Sequence, residues 1–282
     1  MTEKKRIGLI GLGNIGSFYA KKLLDSGFPL VVLDTDNAKV QFAVDMGAIS
    51  TATPAEVAKV SDVIILSLPN SEIVESVMEG AIGILSELKA GQLVIDTSTC
   101  RPRTAVKFHK LCAEKNAGFL DSPLTRRGPG QILMVGGDDK DFASAEDVLA
   151  CISYKYQLIG PSGSGQYLKM INQAIMANSL AASAEAVELA NNCGLDSRLL
   201  KDYLEFDLPD CLFAEDYEGT GQLSLHYKDL GYLLEIAHDV NANIPVSSLV
   251  HEIFKTAKVY GDPNWSQNGI QSYYKRLNND KR

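Results

Sequence analysis

The sequence predicts an α/β chain with a parallel-sheet domain at its N-terminal end, an all-α domain behind it, and a long helix joining the two. Short apolar runs alternate with amphipathic stretches between residues 7 and 159. Beyond Gly165, as far as Asn192, there is no proline or glycine and much alanine and leucine, which predicts a helix of unusual length. From residue 195 onward the apolar periodicity is helical, with few strand-like runs. The expected domains are therefore residues 1–162 and 163–282.

Each element of the first domain has its own signature. Ile7-Gly8-Leu9-Ile10-Gly11-Leu12 is a short apolar strand, and the amphipathic stretch Phe18–Leu24 ends at the helix stop Ser26-Gly27. Leu30–Asp34 is a β-branched run of the kind buried on both sides in a parallel sheet. Strand-like Val63–Ser67, Leu93–Asp96 and Gly118–Asp121 are separated by helical stretches around 71–88 and 101–115. Ile132–Val135 and Tyr154–Ile159 read as the last strands.

Composition narrows the function classes. With 282 residues, 45% hydrophobic and 22% charged, the chain reads as a soluble globular protein of two domains. A net charge of -8 with scattered lysines and arginines speaks against a nucleic-acid partner, which needs a concentrated basic face. Cys100, Cys112, Cys151, Cys193 and Cys211 form no C-x-x-C pair, so reduced, mostly buried thiols and no metal site are expected. Lys4-Lys5-Arg6 before an apolar run imitates a signal peptide, but Ile7–Leu12 is too short for its hydrophobic region. No stretch approaches the roughly 20 apolar residues that span a bilayer, so no membrane partner and a cytoplasmic location are expected.

Gly11-Leu12-Gly13-Asn14-Ile15-Gly16 fits G-x-G-x-x-G between a strand and a helix. The first glycine permits the tight turn, the second the approach of a pyrophosphate, and the third close helix–strand packing. Asp34 ends the next strand, where a carboxylate accepts the adenosine ribose hydroxyls, while Asp36 reads as a helix cap or turn residue. A 2′-phosphate would meet Asp34-Thr35-Asp36 and no arginine, which favours NAD over NADP. The first domain is thus expected to be of the Rossmann type.

Further motifs give the chain a resemblance to the β-hydroxyacid dehydrogenase family, which includes 3-hydroxyisobutyrate dehydrogenase and tartronate semialdehyde reductase, with 6-phosphogluconate dehydrogenase as a larger relative. They are Leu68-Pro69-Asn70-Ser71, Asp96-Thr97-Ser98-Thr99, Lys228-Asp229-Leu230 and, most specific, Gly163-Ser164-Gly165-Gln166-Tyr167-Leu168-Lys169-Met170-Ile171-Asn172-Gln173. The resemblance implies that Leu68, Pro69, Thr99, Lys228 and Asp229 attend the cofactor, and that Lys169 is the catalytic acid/base. Asn172 and Gln173 lie on the same helical face as Lys169 and would orient the substrate. Free lysine titrates at about 10.4, so this role requires burial to lower the value. The implied reaction interconverts a small anionic β-hydroxy acid and its semialdehyde or keto acid by hydride transfer, with closure between domains excluding water. A homodimer or homotetramer is also implied, with Trp265 and Tyr273-Tyr274 available for an interface or for the second domain's core.

One segment departs from the family. Where relatives read D-A-P-V-S-G-G, this chain reads Asp121-Ser122-Pro123-Leu124-Thr125-Arg126-Arg127, followed by Gly128-Pro129-Gly130 in a shortened loop. Ser122, Thr125, Arg126 and Arg127 are the substrate-binding candidates here. Guanidinium groups in place of glycine N–H groups suggest a doubly anionic substrate, such as a dicarboxylate, phosphate or sulfonate acid. Two rivals remain: an imine reductase using NADP, and a non-catalytic NAD-binding scaffold.

Overall fold

Alternating apolar and amphipathic segments produce the expected order of strands and helices. The computed structural model describes residues 4–127, 130–204, 208–213, 217–219, 221–262 and 264–279. Its contacts divide the chain into two units, Met1–Lys169 and Met170–Arg282.

The first unit runs β1 (Ile7–Ile10), α1 (Asn14–Asp25), β2 (Leu30–Leu33), α2 (Asn37–Asp45), β3 (Ile49–Ser50), α3 (Pro54–Val60), β4 (Val63–Leu66), α4 (Ser71–Glu79), α5 (Ile84–Glu87), β5 (Leu93–Asp96), α6 (Pro102–Ala113), β6 (Gly118–Asp121), β7 (Leu124–Arg127), β8 (Gly130–Gly136), α7 (Asp139–Ile152) and β9 (Lys155–Gly160). The sheet order is β3-β2-β1-β4-β5-β6-β8-β7, with β9 paired to β8. The strands from β3 to β6 pair in parallel. β1, β4, β5 and β6 are buried along their whole length, as strands covered on both faces must be. On one face Ile7, Leu9 and Ile65 pack with Tyr19, Leu23 and Val148. On the other, Ile10, Ile64 and Leu66 pack with Val57, Met78 and Phe108.

Four features differ from the sequence reading. The helical stretch around 71–88 is interrupted between Glu79 and Ile84, at a segment holding Gly80 and Gly83, both poor helix formers. β3 is only two residues long, too short to leave a periodic signal. The expected loop after Pro123 is in part a strand: β7 pairs antiparallel with β8, from Leu124 opposite Leu133 to Arg127 opposite Gly130. Gly128, Pro129 and the side chain of Arg127 lie outside the described residues. The cysteines are free as expected, but only Cys100 and Cys112 are buried; Cys151 and Cys211 are half-buried and Cys193 is exposed.

The joining helix, α8 (Ser164–Asn192), is 29 residues long. After it come α9 (Leu199–Tyr203), α10 (Leu223–Asp239), α11 (Pro245–Tyr260) and α12 (Gln271–Asn279), with short 3-10 turns at Asp210–Phe213 and Gln267–Ile270. Met170, Leu180, Leu230, Phe254 and Tyr274 belong to the core of the second unit, and Tyr273 packs against it. Trp265 packs against Tyr217 in a tilted arrangement, with ring centroids 4.5 Å apart and planes at 55°. No described helix is long and apolar enough to cross a membrane.

Candidate active site

The turn between β1 and α1 gives each glycine a separate reason. Gly11 has φ +95°, and a Cβ there would run into the Ser67 carbonyl. A Cβ on Gly16 would run into the carbonyl of Gly11, so the helix could not approach the turn. At Gly13 a Cβ would meet nothing within 4 Å, so no protein atom accounts for the absence of a side chain. Gly13 also caps α1 without a side-chain hydrogen bond, and no acidic residue stands in the first turn. The N–H groups of a helix N-terminus therefore remain available to an anion, in the arrangement a dinucleotide pyrophosphate requires.

Asp34 is tied to the same turn. One carboxylate oxygen accepts the Leu12 N–H at 2.5 Å, and the other accepts the Asp36 N–H at 2.8 Å. Each oxygen has two lone pairs, so acceptor capacity is left for ribose hydroxyls. Asp36 is the cap of α2, accepting the Ala38 N–H at 3.0 Å. The Lys39 ammonium hydrogen-bonds to the Asp36 carboxyl, 3.2 Å away, and holds it below the usual carboxylate range.

Further strand ends carry the remaining motifs of this unit. The Leu68 N–H donates to Ser98 Oγ at 2.9 Å, Pro69 is exposed, and Asn70 caps α4 through the Ile73 N–H at 2.9 Å. Thr99 is half-buried. The Ser98 N–H donates to Asp96 at 2.9 Å, and burial pushes the Asp96 carboxyl up to about 6.

Asp121 and Gln166, to which sequence reasoning gives no role, anchor the start of α8. The fully buried Asp121 carboxylate accepts the Gly163 N–H at 2.6 Å and the Gln166 N–H at 3.1 Å. Burial raises its pKa, against the pull of those two N–H groups. Gly163 takes φ +93°, and a Cβ on Gly165 would run into the Met134 carbonyl. Gln166 spans to the neighbouring strand end: it accepts the Cys100 N–H at 3.0 Å and donates to the Ser98 carbonyl at 2.8 Å. Only pairings across 42 or more residues reveal these roles, which a local pattern cannot carry.

Lys169, one turn beyond Gly165 on α8, is buried with 8% of its surface exposed. In the second unit the structure brings Asn172, Gln173, Lys228 and Asp229 together. Gln173 Nε2 donates to one Asp229 oxygen at 2.7 Å, and Lys228 Nζ lies 3.2 Å from the other. The Asn172 amide makes a longer contact to Gln173 Oε1 at 3.4 Å. On the hairpin, Thr125 is half-buried and Arg126 exposed. Successive strand residues face opposite sides, so those two side chains cannot hold one small ligand group between them. Ser122 is fully buried, and its Oγ has no partner among the described residues.

Known proteins match this chain over most of its length. Residues 6–160 match the family model described as the NAD-binding domain of 6-phosphogluconate dehydrogenase. Residues 163–274 match the NAD-binding domain of NADP-dependent 3-hydroxyisobutyrate dehydrogenase. The 2-(hydroxymethyl)glutarate dehydrogenase of Eubacterium barkeri is 31% identical over 276 residues, covering 93% of this chain and 92% of that protein. A solved 3-hydroxyisobutyrate dehydrogenase of Mycobacterium tuberculosis with L-serine superposes with a TM-score of 0.86 at 23% identity, covering 95% of this chain and 98% of that one. A solved imine reductase from Myxococcus stipitatus shares the fold less closely, with a TM-score of 0.64 at 18% identity over 96% of this chain and 99% of that one. With the two family models covering residues 6–160 and 163–274 in turn and a relative 31% identical over nearly its full length, the chain belongs to the β-hydroxyacid dehydrogenase family of NAD(P)-dependent oxidoreductases acting on CH–OH groups.

Proposed function

We propose that this chain oxidises a small anionic β-hydroxy acid to its semialdehyde or keto acid, reversibly, with NAD. When bound, NAD supplies the hydride acceptor at nicotinamide C4. Lys169 Nζ takes the hydroxyl proton during oxidation and returns it during reduction. Asn172 and Gln173 orient the substrate, and Lys228 and Asp229 serve the nicotinamide side. The observation that carries the reading is the burial of Lys169 at 8% exposure in a chain with a complete dinucleotide turn. An amine leaves solvent at a cost, and a role as proton carrier accounts for accepting it.

NAD rather than NADP is supported by Asp34, whose charge would face a 2′-phosphate. Lys39, the basic residue nearest in sequence, is already paired with Asp36. Residues 1–162 would hold the cofactor and residues 163–282 the substrate and the subunit contacts. Free thiols at five positions suit a reducing compartment such as the cytoplasm. Exposed Ile175, Leu189, Val246 and Leu249 in the second unit support a homodimer or homotetramer. Arg126 and Arg127 stand where relatives have glycine, which supports a substrate with a second anionic group; successive strand positions face opposite sides, so one of the two would meet that group, while Ser122 and Thr125 would bind the hydroxyl or carboxylate.

A panel of monocarboxylate, dicarboxylate, phosphorylated and sulfonated β-hydroxy acids, assayed with NAD and with NADP, tests the reading. Turnover with NAD, fastest for a doubly anionic acid, is expected, and light scattering on the same sample should report a dimer or tetramer. NAD binding without turnover of any acid, or of any aldehyde in reverse, would favour the scaffold reading.

A further inference from the structure

We propose that Gln166 is a positioning residue that holds the Thr99 segment in place for the cofactor, acting from the same helical turn that leads to Lys169. Both polar atoms of its buried amide are committed to one short segment. Its carbonyl accepts the Cys100 N–H at 3.0 Å, and its NH2 donates to the Ser98 carbonyl at 2.8 Å. Those two backbone groups flank Thr99. The amide therefore closes on the peptide units either side of Thr99 as a strand neighbour would, although β5 has already ended at Asp96.

The other end of the clamp is equally fixed. The Gln166 N–H is held by Asp121 at 3.1 Å, beside the Gly163 N–H on the same carboxylate. Gln166 itself is fully buried, so its rotamer is set by packing as well as by hydrogen bonds. Lys169 follows three residues later on the same helix, α8. One side chain thus links the segment assigned to the cofactor with the turn that precedes the assigned acid/base. A site held within fractions of an ångström requires such support, because loop geometry alone does not supply it. The inference rests on the assignment of Thr99 to the cofactor.

A double-mutant cycle on NADH binding tests it, read by fluorescence titration without turnover. Thr99→Ala, Gln166→Leu and the pair are compared at matched folded fraction. Loss of one hydrogen bond's worth of binding corresponds to about a fivefold weaker Kd. Thr99→Ala and Gln166→Leu should each weaken NADH binding by about that factor, and the double variant should be no weaker than the singles. Multiplying effects would mean that Gln166 acts independently of Thr99, and wild-type binding by Gln166→Leu would overturn the proposal outright. Unchanged binding by Thr99→Ala alone would instead refute the cofactor assignment beneath it. Should Gln166→Leu not fold, Gln166→Glu carries the same test, since it keeps the acceptor for Cys100 and loses the donor to Ser98.

Discussion

A methyl group added at Gly13 and one added at Gly16 should act on different properties of this protein. Gly13 has φ -61°, which any residue adopts, and its Cβ would enter open space. Gly13→Ala should therefore leave stability within about 0.5 kcal/mol of wild type. It should weaken NADH binding about tenfold, since the methyl occupies the approach of the pyrophosphate. Gly16→Ala places its Cβ against the Gly11 carbonyl, and relief requires the helix to move from the strand. Overpacking of this kind costs on the order of 1–3 kcal/mol. Urea unfolding and NADH titration of both variants check the contrast; a stable Gly16→Ala, or a Gly13→Ala that binds as wild type, would contradict it. The three glycines were legible from G-x-G-x-x-G because Gly11 and Gly16 are required by backbone sterics and Gly13 by the room a pyrophosphate needs, which the residue type records directly. Asp121 and Gln166 were not, because an aspartate or glutamine shows no preference for a partner 45 or 66 residues away until the chain is folded.

At the scale of elements, the strand ends carry a cost that should appear as pH dependence. The Asp96 carboxyl sits buried at the end of β5 and is pushed from 3.8 to about 6 by burial, with the Asp121 carboxylate adding to the shift. The folded state then holds this proton more tightly than the unfolded chain. Its contribution to stability is most favourable below about pH 4 and declines through pH 6, for a total on the order of 3 kcal/mol. Asp96→Asn keeps the acceptor for the Ser98 N–H and removes the charge. Its stability relative to wild type should therefore rise between pH 4 and pH 7, measured by denaturant unfolding; a difference that does not change with pH would contradict the assignment. Opposed charges between α4 and α6 behave differently. Arg101–Glu72 at 2.5 Å and Lys107–Glu79 at 2.6 Å lie near the surface, where each pair adds at most about 1 kcal/mol. The parallel strands and α8 were readable because burial on two faces and a long glycine-free run leave local signals. The pairing of β7 with β8 was not, since Leu124-Thr125-Arg126-Arg127 owes its extended form to a partner strand rather than to its own composition.

For the whole molecule, sequence and fold agree on a parallel-sheet unit, a helical unit and a long helix between them; the helix is 29 residues in the structure, and its first residues, Ser164 to Lys169, fall in the first unit. The family follows from the order of motifs along the chain, which no single motif would establish. What stayed beyond the sequence is the identity of the acid, because the segment Ser122–Arg127, to which we assign the substrate, departs from the pattern of the family it resembles. The central claim is that Lys169 moves the hydroxyl proton, and the comparison of wild type with Lys169→Ala tests it most directly. On the best acid of the panel, Lys169→Ala should lose at least about a hundredfold in kcat, the lower range for a general acid or base, with NADH affinity unchanged. Retention of most of the activity, at the same NADH affinity, would show that another group carries the proton.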